Sequence, residues 1–95
     1  MRKRYLIAYD ISDDKRRTAA FKTLMDNGDH VQFSVFLCDL NDKELAELKG
    51  KLSQTINHRE DQVLVLRLGS TDDELRAILH CIGRSYEPPL RTLVI

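Results

Sequence analysis

The stretch YLIAYDISDDKRR, residues Tyr5 to Arg17, carries the strongest structural signals in this 95-residue chain. Its first seven residues are apolar at nearly every position and rich in aromatic and β-branched side chains, which predicts a strand, Tyr5 to Ile11, buried on both faces. One carboxylate, Asp10, interrupts the run. Because an ionised carboxylate among apolar neighbours is poorly solvated, we expect Asp10 to be paired, hydrogen-bonded or bound to a cation.

Polar residues directly after this strand predict the start of a helix. Residues 12–14 supply N-cap chemistry, and the helix is expected from about Lys15 to Asp26. Asn27-Gly28 is a typical stop signal. The apolar stripe of this helix consists of Ala20, Phe21, Leu24 and Met25.

The next segments alternate in the same way. VQFSVFLCDL, Val31 to Leu40, reads as a second strand with apolar side chains at both parities. Asn41 followed by Glu44 is typical of a capping box, and it predicts a second helix. Val63 to Leu68 is the third predicted strand. The apolar stripe of the second helix consists of Leu45, Leu48, Leu52 and Ile56.

This order favours an α+β fold, a ferredoxin-like βαββαβ sandwich with both helices on one face of the sheet, formed by a single domain of residues 1–95. The other face of the sheet would still carry apolar side chains. A second copy of the sheet is the simplest cover for it, so we expect a homodimer whose sheets meet face to face.

The last quarter of the chain departs from that pattern. Thr71 with Glu74 predicts an added short helix that ends at Gly83. LRTLVI, residues 90–95, follows Pro88-Pro89 and reads as an edge or exchanged strand, because proline is excluded from central ladder positions.

Composition narrows the class of protein. The chain is 42% hydrophobic and 32% charged, as in ordinary soluble domains. Its 15 basic and 15 acidic side chains cancel, so nucleic-acid binding would need a local basic patch. Cys38 and Cys81 lack the spacing of a zinc site or disulfide framework, and we found no export signal or membrane span. We therefore expect a reduced, cytoplasmic protein.

Asp10 is the strongest candidate for chemistry, because a carboxylate at the end of a strand suits a metal ligand or an acid–base group. The alternative is a structural acid that caps the following turn. Lys15 and Arg16 are expected to project outward and, with residues 2–4, to form a basic rim for phosphates, although such runs are more often solvated helix faces. Arg17 is expected nearer Asp10. Each of three aromatic residues is a candidate either for core or interface packing or for base stacking: Tyr9, Phe33 and Phe36.

Two motifs together resemble a known family. YLIAYDISDDKRR followed by VQFSVFLCDL resembles the CRISPR-associated protein two family, the small ferredoxin-like nuclease-type subunit of the spacer-acquisition machinery. The resemblance covers about Lys3 to Leu68 and fades beyond Gly69. It implies a homodimer with Asp10 of each protomer near the two-fold axis.

The resemblance also implies roles for individual residues. The family's metal-binding acid maps onto Asp10, which would hold Mg²⁺ or Mn²⁺ and on which any cleavage would depend. His30 stands where some members carry arginine. Supporting or nucleic-acid-binding positions map onto Tyr9, Ser12, Arg16, Arg17, Ser34 and Phe36, and Lys15 joins them as a candidate phosphate contact.

The implied function is a CRISPR subunit for spacer acquisition with a metal-dependent phosphodiesterase site, an endoribonuclease or DNase, at the dimer two-fold. The alternative within the family is a non-catalytic dimeric scaffold that bridges integrase subunits and holds spacer DNA without reading its sequence. A toxin-type ribonuclease of similar fold is a further alternative. A metabolite-binding regulatory domain would need a glycine-rich turn, and the four glycines are not clustered.

Overall fold

The computed structural model describes residues 1–72, Glu74 and residues 78–86. Its elements in chain order are β1 (Lys3–Asp10), α1 (Asp14–Met25), β2 (Asp29–Gln32), β3 (Val35–Leu40), α2 (Asp42–Thr55) and β4 (Gln62–Ser70). These described strands form one antiparallel sheet in the order β2-β3-β1-β4. This is the predicted ferredoxin-like arrangement.

The run predicted as one strand, Val31 to Leu40, is a hairpin of two strands. β2 and β3 pair antiparallel and are joined by only two residues, Phe33 and Ser34. The chain reverses because Phe33 has a positive φ of 37°. The prediction of one continuous strand is therefore wrong here, and the extra strand completes the βαββαβ order.

The core lies between the sheet and the two helices. Alternation along β1 places Tyr5, Ile7 and Tyr9 on the helix side of the sheet. Cys38 of β3 joins them, and burial, with nearby Asp29 and Asp39, raises the pKa of its thiol to about 11. The other buried members are Ile11, Ala20, Leu24, Phe36, Leu40, Leu48 and Leu52.

Both helix starts follow from their capping residues. The Asp13 carboxylate accepts the Arg16 backbone N–H at 2.9 Å and caps α1. At α2, Asn41 and Glu44 form the predicted capping box, each side chain accepting the other's backbone N–H. Of the expected apolar stripe on α1, Met25 is an exception, since it is 47% exposed.

The opposite face of the sheet carries an exposed apolar row. Leu64 and Leu66 of β4 are 54% and 56% exposed, and they lie beside Ala8 and Leu6 of β1. We call these four residues the leucine face. The expectation that β1 is buried on both sides is wrong for one protomer, because no described segment covers Leu6 and Ala8 fully.

The predicted C-terminal elements fall partly or wholly outside the described residues. The expected helix over 71–83 includes residue 73 and residues 75–77, and the expected edge strand is 90–95. Within the described part of that segment, Ile78 and Ile82 are 44% and 104% exposed. Neither helix of the described chain has the length and apolar character needed to span a bilayer.

Candidate metal and nucleic-acid site at the end of β1

Asp10 is the last residue of β1, and it pairs with Gln62 of β4. Alternation continues the row of Leu6 and Ala8 onto Asp10, which places this residue at one end of the leucine face. The side chain is exposed, so the expectation of a desolvated carboxylate is wrong for a single protomer. Among the described residues it has no hydrogen-bond or ion-pair partner.

Because Asp10 has no side-chain partner among the described residues, its two interpretations, a functional carboxylate and a structural cap, can be compared. A structural acid would accept the amides of the following turn, but the helix cap is supplied by Asp13 instead. The Asp10 side chain therefore has no structural partner in the described part of its own protomer, although its backbone belongs to the sheet. A carboxylate with that freedom is available to a cation or to another molecule.

One protomer supplies few metal ligands. In the described part of the chain, no three His, Cys, Asp or Glu side chains converge as a metal site. Magnesium is commonly held by one or two carboxylates together with waters and substrate phosphates. The Asp10 carboxylate would fit that donor set if a second copy of the chain supplied another.

Arg17 holds the loop between β1 and α1. Its guanidinium donates to the carbonyl oxygens of Ile11 at 3.3 Å and Ser12 at 3.1 Å. The same group forms an ion pair with Asp14. Arg17 thus fixes the backbone next to Asp10, while the Ser12 side chain stays exposed.

Arg16 is bound to acids of the chain instead of projecting outward as expected. Its Nε donates to Asp61 at 2.8 Å and its Nη2 to the second Asp61 oxygen at 3.3 Å, with Glu60 at 3.6 Å. Asp61 has a side chain with 0% exposure and also accepts the Asn57 backbone N–H at 2.8 Å. The bond from Arg16 lowers the pKa of the Asp61 carboxyl, and the same bond raises the pKa of Arg16.

This ion pair stands directly beside the candidate site. Asp61 immediately precedes Gln62, the β4 partner of Asp10, and Arg16 lies in the first turn of α1. The pair therefore joins the start of α1 to the start of β4 at the end of the sheet where Asp10 lies. Asp61, which also accepts the Asn57 backbone N–H, therefore holds this end of the fold together.

The predicted continuous basic rim does not form. Residues 2–4 lie at the start of β1 and Lys15 lies near its end, so roughly 20 Å of strand separates them. Arg2 pairs with Glu44 at 2.9 Å, and the buried Arg4 pairs with Asp39 at 3.3 Å. Among the described residues Lys3 and Lys15 have no acidic partner, and of these two Lys15 is exposed and lies on the Asp10 side.

The aromatic and serine candidates pack around the strand end. The Tyr9 backbone N–H donates to the Ser34 carbonyl at 3.2 Å, which ties β1 to the hairpin turn. The Tyr9 and Phe36 rings are stacked with centroids 6.4 Å apart, and Phe36 is fully buried, as the packing interpretation expects. Burial raises the pKa of Tyr9, an effect that Arg17 partly opposes, so its hydroxyl stays neutral at physiological pH.

Sequence reasoning missed two features of this region. Asp61 gave no signal, because its partner Arg16 is 45 positions away. Phe33, a packing or base-stacking candidate expected within a strand, instead occupies a turn and is 85% exposed. The structure therefore brings Asp10, Arg17, Ser34 and Phe33 to one end of the sheet, and it engages Arg16 elsewhere.

Comparison with known proteins gives consistent results. The profile of the family described as CRISPR associated protein Cas2 matches residues 2–75. A CRISPR-associated endoribonuclease Cas2 of Geobacter sulfurreducens is 34% identical over 91 residues, 96% of this chain and 95% of that protein. One of Thermus thermophilus is 46% identical over 66 residues, 68% of this chain and 70% of that protein. The crystal structure of Streptococcus pyogenes Cas2 matches with a TM-score of 0.73 at 27% identity, covering 84% of this chain and 99% of that one.

Proposed function

Because the chain belongs to the CRISPR associated protein Cas2 family, we propose that it is a homodimeric, metal-dependent nuclease of CRISPR spacer acquisition that hydrolyses phosphodiesters in RNA or DNA. The names of the Geobacter and Thermus relatives, both CRISPR-associated endoribonucleases, support the nuclease class. The observation that carries the proposal is the exposed Asp10, which has no side-chain partner among the described residues and lies at the end of an apolar row that those residues leave exposed.

The leucine face supports the homodimer. Two leucines more than half exposed on a regular sheet present a flat apolar surface, which a second identical sheet covers symmetrically. Asp10 lies on the same row, so a two-fold axis near that end of the row would bring two carboxylates together. Like charges repel, and a divalent cation between them removes that repulsion.

Three residues of the chain would have different roles in hydrolysis. The Asp10 carboxylates would hold Mg²⁺ or Mn²⁺, which when bound would polarise a phosphate oxygen and favour ionisation of a water. Arg17 keeps the strand-to-helix loop in place through its bonds to the carbonyls of Ile11 and Ser12. Lys15, exposed and without an acidic partner in the described chain, is placed to attract the phosphate backbone irrespective of base sequence.

Asp10→Asn tests the catalytic proposal, because it keeps the shape of the side chain and removes the charge. We expect cleavage of RNA and duplex DNA to fall at least about 100-fold across a magnesium titration, as for loss of a principal electrostatic group. Thermal unfolding should be unchanged, since Asp10 has no partner within the described protomer.

Asp42→Asn is the matched control, an exposed acid in the first turn of α2 at the other end of the sheet. It should cleave like the wild type. Asp10→Asn protein that cleaves at the wild-type rate in magnesium would refute the catalytic assignment.

The scaffold function is a second candidate, favoured by the sparse chemistry of the site. One carboxylate per protomer is a minimal donor set, and two histidines are engaged elsewhere in the described chain: His30 packs on Phe36 and His58 bonds Ser53. In this function the dimer bridges integrase subunits and holds spacer DNA in the cytoplasm. Asp10→Asn protein that keeps full bridging of a purified integrase, while wild type shows no metal-dependent cleavage, would favour it.

A further inference from the structure

Phe33 occupies a backbone conformation that does not suit it. It is the first of the two residues that join β2 and β3, and its φ of 37° is in the left-handed region. Tight hairpin turns place Gly, Asn or Asp at such positions, because a bulky side chain there is strained. Local preference therefore does not explain an aromatic residue at this turn.

Packing within the protomer does not explain Phe33 either. The residue is 85% exposed, whereas neighbouring Phe36 is fully buried. Strain at an exposed side chain that stabilises little within its own chain is a signal of function. The ring is available to another molecule.

The turn that carries the ring is firmly anchored to the core. The His30 Nε2 lies 2.5 Å from the Phe33 carbonyl oxygen, which can only accept, so Nε2 is the donor. The His30 ring is itself held by Phe21 and Phe36, with ring centroids 5.1 and 4.9 Å apart. On the other side, the Ser34 carbonyl accepts the Tyr9 backbone N–H.

Phe33 borders a shallow recess that suits a flat aromatic ligand. The other lining residues include Tyr9, Phe21 and Arg17. The Arg17 guanidinium is already paired with Asp14, so the exposed Phe33 ring is the group that matches a nucleobase. Tyr9 and Asp10 are consecutive on β1, so this recess and the candidate metal site lie at the same end of the sheet on opposite faces, and a nucleic acid would have to pass around that end to reach both.

We propose that Phe33 is a stacking platform for an unpaired base of the nucleic acid whose backbone reaches Asp10. This inference rests on the proposed function and adds a specific contact to it. A second copy of the chain is the less suitable occupant, because Tyr9 and Phe21 pack with the core on the helix side of the sheet. The leucine face is on the opposite side.

Phe33→Gly separates stacking from folding, because glycine removes the ring and relieves the backbone. The probe is a 12-nucleotide single strand, RNA or DNA, carrying 2-aminopurine, with the matching duplex as comparison. We expect single-strand affinity to fall about 5- to 100-fold, the range for losing one base–aromatic stack, and the fluorescence quenching of 2-aminopurine to be lost. The thermal midpoint should be equal or higher, since glycine adopts positive φ freely.

Two further variants complete the experiment. Phe33→Trp should bind within about threefold of wild type, because tryptophan also stacks on bases. Met25→Ala removes another exposed apolar side chain, at the end of α1, and should leave binding unchanged.

The outcomes distinguish this inference from the proposed function. Wild type that binds and cleaves while Phe33→Gly binds the single strand equally well overturns the stacking platform alone. An equal loss of single-strand and duplex binding, or a change of oligomeric state in Phe33→Gly, also overturns it. Wild type that binds neither strand form refutes both proposals.

Discussion

Leu24 and Leu66 are the same amino acid in regular elements of one small domain, yet Leu24 is 0% exposed and Leu66 is 56% exposed. Leu24 lies on α1 and packs against the helix side of the sheet. Arg16, on the same helix, also finds its partner, Asp61, within the chain. Leu66 lies on the leucine face, at whose end the Asp10 carboxylate has no described partner. The helix side stabilises the protomer, whereas the described residues leave the leucine face exposed.

Leu24→Ala is expected to give the largest loss of stability. It deletes buried methyl groups from the helix side, and such cavities lower the free energy of unfolding by about 2–5 kcal/mol. Urea unfolding followed by circular dichroism measures the loss. Met25→Ala, one residue along and 47% exposed, should change it by less than about 0.5 kcal/mol. Equal effects of the two changes would contradict the assignment of α1's buried face.

Asp61→Asn tests whether the Arg16–Asp61 ion pair stabilises the folded protomer. If it does, the stability difference between wild type and variant should depend on pH. The pKa of Asp61 is lowered on folding from its ordinary value of 3.8, so the carboxylate contributes stability that is fully present above that value. The contribution is lost as the pH falls through the lower, folded-state pKa. Wild type should therefore exceed Asp61→Asn in thermal midpoint above about pH 4, and the difference should shrink below it.

Glu60→Gln is the control for Asp61→Asn, because Glu60 lies farther from Arg16, at 3.6 Å, with a side chain 61% exposed. Exposed pairs of this kind contribute at most about 1 kcal/mol. A difference between wild type and Asp61→Asn that stays constant down to the most acid pH would contradict the role of the charge.

Leu66→Lys tests the other side of the comparison. In one protomer residue 66 is exposed, so the monomer should fold normally, but a second sheet would have to bury the ammonium without a partner. We expect the dimer dissociation constant to rise by about 100-fold, equivalent to about 2.7 kcal/mol. Sedimentation velocity over a concentration series measures it. Ala46→Lys on the exposed surface of α2 should leave it unchanged, and an unchanged constant for Leu66→Lys would disprove the leucine-face dimer.

The local parts of the fold could be predicted from the sequence because their signals lie within a few residues. The Asn41–Glu44 capping box is one example, and the strand that ends on Asp10 is another. The Phe33–Ser34 turn could not be predicted, because neither residue is among the usual turn formers at a positive φ.

The candidate site was only partly predictable, for a different reason. Position along β1 was enough to single out Asp10, but the partner of Arg16 depends on how α1 and β4 meet in space. Net neutral composition also concealed that Arg2 and Arg4 are paired with acids at the far end of the strand. These ion pairs join residues far apart in the sequence, and hydrophobic periodicity alone does not report such contacts.

Gly28→Ala is expected to have a moderate effect, and it probes close packing where α1 leads into β2. A Cβ at this position would lie 2.4 Å from the Cys38 Sγ and 2.5 Å from the Leu37 carbonyl oxygen. Cys38 is fully buried and the carbonyl belongs to the sheet backbone, so neither gives way easily. Overpacking of this kind lowers the free energy of unfolding by about 1–3 kcal/mol. Urea unfolding with a loss below that range would show that the turn can shift.

Gly50→Ala is expected to have the smallest effect and the opposite sign. Gly50 lies inside α2, is exposed, and has no atom within 4 Å of the position where a Cβ would be added. Alanine removes backbone freedom from the unfolded chain without a clash, so the free energy of unfolding should rise by about 0.5–1 kcal/mol. The same variant also tests the outer surface of α2, which we expect to contact neither a partner protomer nor nucleic acid. If Gly50→Ala weakened dimerisation or oligonucleotide binding in the assays used for Leu66→Lys and Phe33→Gly, the outer face of α2 would itself be an interaction surface, and the leucine face would no longer be the main candidate.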